Sequence, residues 1–100
     1  MKFITNYKEF DDDAKESVLE HLLKEPIKNK RFILEYLKNG KDDGVLCSGI
    51  YYYVKDEPKF DTIHLFTDGE YYWNSEEIYH FEKYNMVLNE EFVDKVLKAL

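Results

Sequence analysis

Cysteine is almost missing from this chain. Cys47 stands alone, so no intrachain disulfide can form, and the sequence suits a reducing compartment. Proline is nearly as rare. Pro26 and Pro58 fall at natural breaks, and there is no repeat, low-complexity stretch or linker, so residues 1–100 read as a single domain. No stretch approaches the roughly 18 consecutive apolar residues of a membrane-spanning helix. The opening MKFITNYKEFDDD lacks the apolar centre of a signal peptide, so the expected location is the cytoplasm. Basic residues are outnumbered, 14 Lys and Arg against 21 Asp and Glu, for a net charge of −7. Such a chain repels phosphates, which argues against nucleic acid and anionic membranes as partners and favours a basic one.

What is present is apolar and aromatic: 44% of residues are hydrophobic and 17% aromatic, too many for a disordered chain. A folded chain of this length buries roughly two-thirds of its unfolded surface, enough for one modest core. The charge is uneven. Residues 24–41 carry six bases (Lys24, Lys28, Lys30, Arg31, Lys38, Lys41) against Glu25 and Glu35, whereas residues 42–100 carry thirteen acids and five bases.

Periodicity orders the elements. Asp13 and Glu16 have capping-box spacing, and Ala14, Val18 and Leu22, flanked by Leu19 and Leu23, form a helical stripe. Ile27, Ile33, Leu34 and Leu37 mark a second helix, stopped where Gly40 takes a left-handed conformation. From residue 45 the period becomes two. Residues 45–54, 62–67 and 70–73 read as strands, the last two joined by Asp68-Gly69 as a two-residue hairpin. That turn sets Thr67 opposite Glu70, Phe66 opposite Tyr71, Leu65 opposite Tyr72 and His64 opposite Trp73. Asn74 with Glu77 caps a third helix through Ile78, Phe81 and Tyr84. Asn89 opens a fourth, with Phe92, Val93, Val96, Leu97 and Leu100 as its stripe. The expected fold is α+β: a small three-stranded antiparallel sheet with two helices before it and two after it (ααβββαα). Both sheet faces are apolar, so either helices cover both or one face is left to a partner or a second copy.

Chemistry finds little purchase. His21, His64 and His80 have no metal-ligand spacing, and Cys47 has no nearby histidine. The pairs Asp42/Asp43, Asp56/Glu57, Glu76/Glu77 and Glu90/Glu91 sit at loops and helix starts, where capping explains them. Gly40, Gly44, Gly49 and Gly69 form no phosphate loop. The chain is therefore expected to be no enzyme and to need no metal or cofactor. Tyrosine combines large contact area with a polar tip, which suits an interface. The face carrying Leu46, Ile50, Tyr52 and Val54 reads as core, leaving Tyr51 and Tyr53 outside. With Asp56, Glu57, Asp61, Asp68 and Glu70 they make the expected partner-binding patch.

The run DGEYYWNSEEIYHFEKYNMVLNEEF, residues 68–92, combines a hairpin turn, a strand ending in Trp, a capped helix and a second short helix. It resembles the C-terminal part of small bacterial proteins. In size, acidity and α/β character the chain is similar to immunity proteins of contact-dependent growth inhibition and related polymorphic toxin systems. The resemblance implies binding to a cognate toxin domain, often a nuclease, whose basic cleft the immunity protein occludes. The alternative is a small cytosolic adaptor or regulatory subunit acting as a homodimer.

Overall fold

The Asp68-Gly69 turn organises the sheet, in a register that its side chain decides. A computed structural model describes residues 2–7, 14–51 and 60–100, with backbone alone for 46–51 and 60–61. Strands β3 (Phe60–Thr67) and β4 (Tyr71–Asn74) pair antiparallel, with Thr67 opposite Tyr72, Phe66 opposite Trp73 and Leu65 opposite Asn74. This lies two residues from the register expected of a tight Asp-Gly turn. Asp68 Oδ1 accepts the backbone N–H groups of Glu70 and Tyr71 at 2.9 and 2.7 Å, which draws Glu70 into the turn. Gly69 takes the positive φ (+100°) that this loop requires. Because side chains alternate with period two, a two-residue slip leaves the faces unchanged. Phe66, Tyr71 and Trp73 share one face; Leu65 and Tyr72 share the other.

Among the described residues the sheet has four strands, not three, and it is mixed. β1 (Lys2–Phe3) pairs parallel with β4, Lys2 beside Tyr71 and Phe3 beside Tyr72, and β2 (Lys41–Tyr51) pairs antiparallel with β3, giving the order β1-β4-β3-β2. A two-residue strand has no periodicity to detect, and its partner lies almost 70 residues away. β2 departs from simple alternation: its register against β3 shifts between Asp42 and Val45, Val45 and Cys47, and Ser48 and Tyr51. Each one-residue shift exchanges the faces, so an inside–outside assignment by counting along β2 does not hold.

Among the described residues three α-helices, not four, accompany the sheet. Residues 11–13 lie outside the described residues, and the expected first helix is absent from Ala14 onward. Only a 3₁₀ turn, Val18–Glu20, forms, with Ser17 Oγ accepting Leu19 N–H at 3.2 Å. The backbone groups that would build a helix bond elsewhere: Leu23 N–H donates to Asn85 O and Val87 N–H to His21 O. Val18 is fully buried, but Leu19 and Leu23 face water, so the apolar run covers the core as an extended strap. Helix α1 (Lys30–Lys38) buries Ile33 and Leu37. Gly40 after it is needed for a different reason from the one expected. Its φ is ordinary, but a Cβ there would lie 2.4 Å from Trp73 Cζ2. Alanine at this position overpacks, at a cost of about 1–3 kcal/mol.

Helix α2 (Ser75–Tyr84) follows β4 without a loop, its first turn closed by the expected capping box. Glu77 N–H donates to Asn74 Oδ1 at 2.9 Å and Asn74 N–H to Glu77 Oε1 at 3.0 Å. Helix α3 (Glu90–Leu97) buries Phe92 and Val96 while Leu100 stays exposed. Asn89 precedes it but its side chain does not cap. It donates to Phe3 O at 2.9 Å, and its N–H donates to Ile4 O at 2.7 Å, which stitches α3 to the end of β1. All three helices contribute to one core on the face of Tyr71 and Trp73. At its centre Trp73 is 1% exposed, its Nε1–H donating to Leu37 O at 3.0 Å and its ring 5.7 Å from that of Phe92. On the other face Phe3 is 47% exposed and Leu65 and Tyr72 are half-buried.

Candidate protein-interaction surface

The patch expected from sequence is divided by the fold. Tyr53, Asp56 and Glu57 lie outside the described residues. Tyr51 ends β2 opposite Phe60, and Asp61 is the second residue of β3. Asp68 and Glu70 lie in the turn at the other end of that strand. Seven residues of extended chain put Asp61 and Asp68 roughly 23 Å apart along β3. One contact of ordinary size could span both ends, but they do not form a single cluster.

At the turn, both carboxylates are engaged. Asp68 Oδ2 accepts the Tyr36 hydroxyl at 2.6 Å and Lys95 Nζ at 2.8 Å, so with its two backbone donors the carboxylate meets four. Burial opposes ionisation of Asp68, but Lys95, Tyr36 and the backbone N–H groups outweigh it. Its carboxyl is held well below the usual carboxylate range. Glu70 bridges two lysines, Lys95 at 2.9 Å and Lys2 at 3.0 Å, and hydrogen bonds from both lower its pKa. Lys95 and Lys2 are raised in turn, Lys95 chiefly by its bond to Asp68 and Lys2 by its bond to Glu70. Burial, then the bond to Asp68, pushes Tyr36 up to about 12. Both lysine heads also lie over the Tyr71 ring, Lys95 at 5.4 Å and Lys2 at 5.5 Å from its centre.

Beside this network lies a second set of acids outside the expected patch, of which capping accounts for only Glu90 and Glu91 in the sequence. Glu90, Glu91 and Asp94 are exposed on α3 and pair with no cation among the described residues. They edge two adjoining depressions that share Tyr71 and Glu91. One, of about 520 Å³, runs between Lys2, Phe3, Asn6 and the start of α3; the other, of about 350 Å³, lies between Glu70, Asp94, Lys95 and Lys98. The structure thus gathers these carboxylates beside the exposed Phe3 and above the buried Tyr71, and they are not the acids of the expected patch. The signal was visible in the α3 pattern: Phe92 and Val96 must face inward, which turns Glu90, Glu91 and Asp94 outward.

The basic stretch is partly spent inside the molecule. Lys30 Nζ donates to Glu82 O and Asn85 Oδ1, Lys38 pairs with Glu82 at 3.0 Å, and Arg31 Nε lies 3.5 Å from Glu35. Lys30 and Lys38 therefore fasten α1 to α2, while Lys24, Lys28 and Lys41 remain exposed. The histidines are far apart in role. His21 stacks on Tyr7 and lies 3.3 Å from Glu16. His64, expected opposite Trp73, lies 3.5 Å from Asp42, and buried His80 donates from Nδ1 to Glu76 O at 2.7 Å. Among the described residues no group of three or more His, Cys, Asp or Glu is placed to hold a metal ion, and no helix is long and apolar enough to cross a membrane. Comparison with family models, curated proteins and solved structures returns no match.

Proposed function

We propose that this chain is a binding protein that neutralises a basic protein partner. In the form its sequence resemblance implies, it is a cytoplasmic immunity protein that occludes the basic cleft of a cognate toxin domain, a nuclease. The observation supporting this reading is the acid-edged double depression around Tyr71. Glu90, Glu91 and Asp94 supply unpaired negative charge there, and Phe3, 47% exposed, supplies apolar contact beside the buried Tyr71. Exposed carboxylates steer a cationic partner into an encounter, and contact with the exposed Phe3 ring then helps to hold it. The protein itself transforms nothing in this mechanism; its carboxylates occupy the place that phosphates would take.

The test begins by asking whether an adjacent gene encodes a secreted protein with a basic C-terminal domain, and uses that domain as the binding partner. Stopped-flow association at low and high salt should show a salt-steepened on-rate. The triple variant Glu90→Lys, Glu91→Lys, Asp94→Lys should slow association by about tenfold or more at low salt with an unchanged circular dichroism spectrum. An unaltered on-rate would remove this surface from the mechanism. A second reading rests on the face opposite the core, where Phe3, Leu65 and Tyr72 stay partly open. There the chain acts as a homodimeric adaptor, and light scattering across a dilution series without partner would show a persistent dimer.

A further inference from the structure

On the far side of the Asp68 turn, a groove of about 350 Å³ lies against the last turn of α1. Its character differs from that of the α3 depressions. Phe32 and Tyr36 line it as partly buried rings, Glu35 and Asp68 stand at it as carboxylates, and Asn39 and Gly40 close the helix end. Among the described residues no lysine or arginine lines it. Three features favour a cation at this place. The C-terminal end of a helix carries the negative end of its dipole. Ring faces attract a guanidinium or ammonium group. A carboxylate then completes the pairing, and an arginine fork matches it best.

The neighbouring cations are committed elsewhere. Lys38, in the last turn of α1, is drawn to Glu82 at 3.0 Å, and Lys95 sits in the Asp68–Glu70 network. Asp68 has all four of its donors and is offset by Lys95, so Glu35 is the carboxylate a guest would meet. Glu35 is exposed, and its one cationic neighbour is Arg31, whose side chain is 93% exposed and 3.5 Å away. So open a contact costs little to exchange.

We infer that this groove is the seat for one arginine side chain of the basic partner, stacked on Phe32 and Tyr36 and paired with Glu35. The inference rests on the proposed function for the partner's charge, but it concerns a separate surface on a different helix. The α3 acids would steer the encounter; the groove would fix its register.

The test titrates the ¹⁵N-labelled protein with N-acetyl-arginine methylamide and, in parallel, with its uncharged citrulline counterpart. The arginine probe should move the amide signals of Asn39 and Gly40 and the indole N–H of Trp73, which touches Gly40, with millimolar affinity. Citrulline should move them little. Glu35→Gln, an exposed change that leaves the fold intact, should weaken the arginine response about two- to fivefold, and Arg31→Ala should strengthen it. Equal responses to the two probes, or an arginine response indifferent to Glu35→Gln, would overturn the inference. Partner association measured on the Glu90, Glu91 and Asp94 variant keeps the two ideas apart. If that rate falls while the arginine probe finds no groove, the proposed function stands and the arginine seat does not. If the probe binds as described while the rate is unchanged, the seat stands and the steering surface does not.

Discussion

Two sets of carboxylates border the same tyrosine and lead different lives. Asp68 and Glu70 reach Tyr71 from the β3–β4 turn, and each is matched by lysine heads, Asp68 also by a hydroxyl and two backbone N–H groups. Glu90, Glu91 and Asp94 approach from α3 and meet water. The first set holds the molecule together; the second is available to something outside it. Acidity in the sequence does not distinguish them, because the difference lies in which cations the fold brings near.

Breaking the turn should have the largest effect. Asp68→Ala strands the Tyr36 hydroxyl and two backbone donors, and urea denaturation should show a loss of about 3 kcal/mol. A loss under about 1 kcal/mol would place Asp68 with the α3 acids. Glu77 sharpens the comparison from inside the core, where burial lifts its carboxyl to about 7. Adjacent Glu76 adds to the lift, while bonds from Thr5 and Asn74 oppose it. The folded state therefore holds a proton that the unfolded chain releases near its ordinary 4.5. Stability from this group is fully present below about pH 4.5 and is lost as pH rises through 7, on the order of 3 kcal/mol in all. Asp68 acts oppositely: its contribution is present above its ordinary 3.8 and is lost as pH falls toward its depressed value. Urea midpoints between pH 5 and 8 should fall in the native protein, and Glu77→Gln should flatten that slope.

The smallest effect on stability belongs to the α3 acids. Changing Glu90, Glu91 and Asp94 to Gln should alter unfolding free energy by under about 0.5 kcal/mol per site, although partner association slows. Reversing Asp56, Glu57 and Asp61 instead tests the other end of the hairpin. The geometry of the α3 surface leads us to expect a smaller change in on-rate there. A larger one would return the interface to the patch expected from sequence.

What could be read from sequence was local. The place of the turn at Asp68-Gly69, though not its register, the Asn74–Glu77 capping box and the stripes of α1 and α3 depend on residues within one or two turns of one another. What escaped is held by distant partners. The stripe at Val18 and Leu22 is intrinsically helical, yet hydrogen bonds to residues 85 and 87 hold this segment extended. β1 exists because β4 and Asn89 accept it. Gly40 looked like a helix stop, and only the position of Trp73 reveals what it accommodates. The candidate site was half legible for the same reason: the sequence shows which residues are acidic, and their pairing requires the fold.

The irregular β2 strand has a consequence of its own. It forms one margin of the sheet, where a long, flat and apolar edge would invite neighbouring molecules to add strands and grow into aggregates. Three breaks in register, a glycine at φ +104° and the exposed pair Asp42 and Asp43 make that margin a poor template. Straightening it, by replacing Gly44 and neutralising the two aspartates, should turn a well-behaved solution into one that clouds on standing.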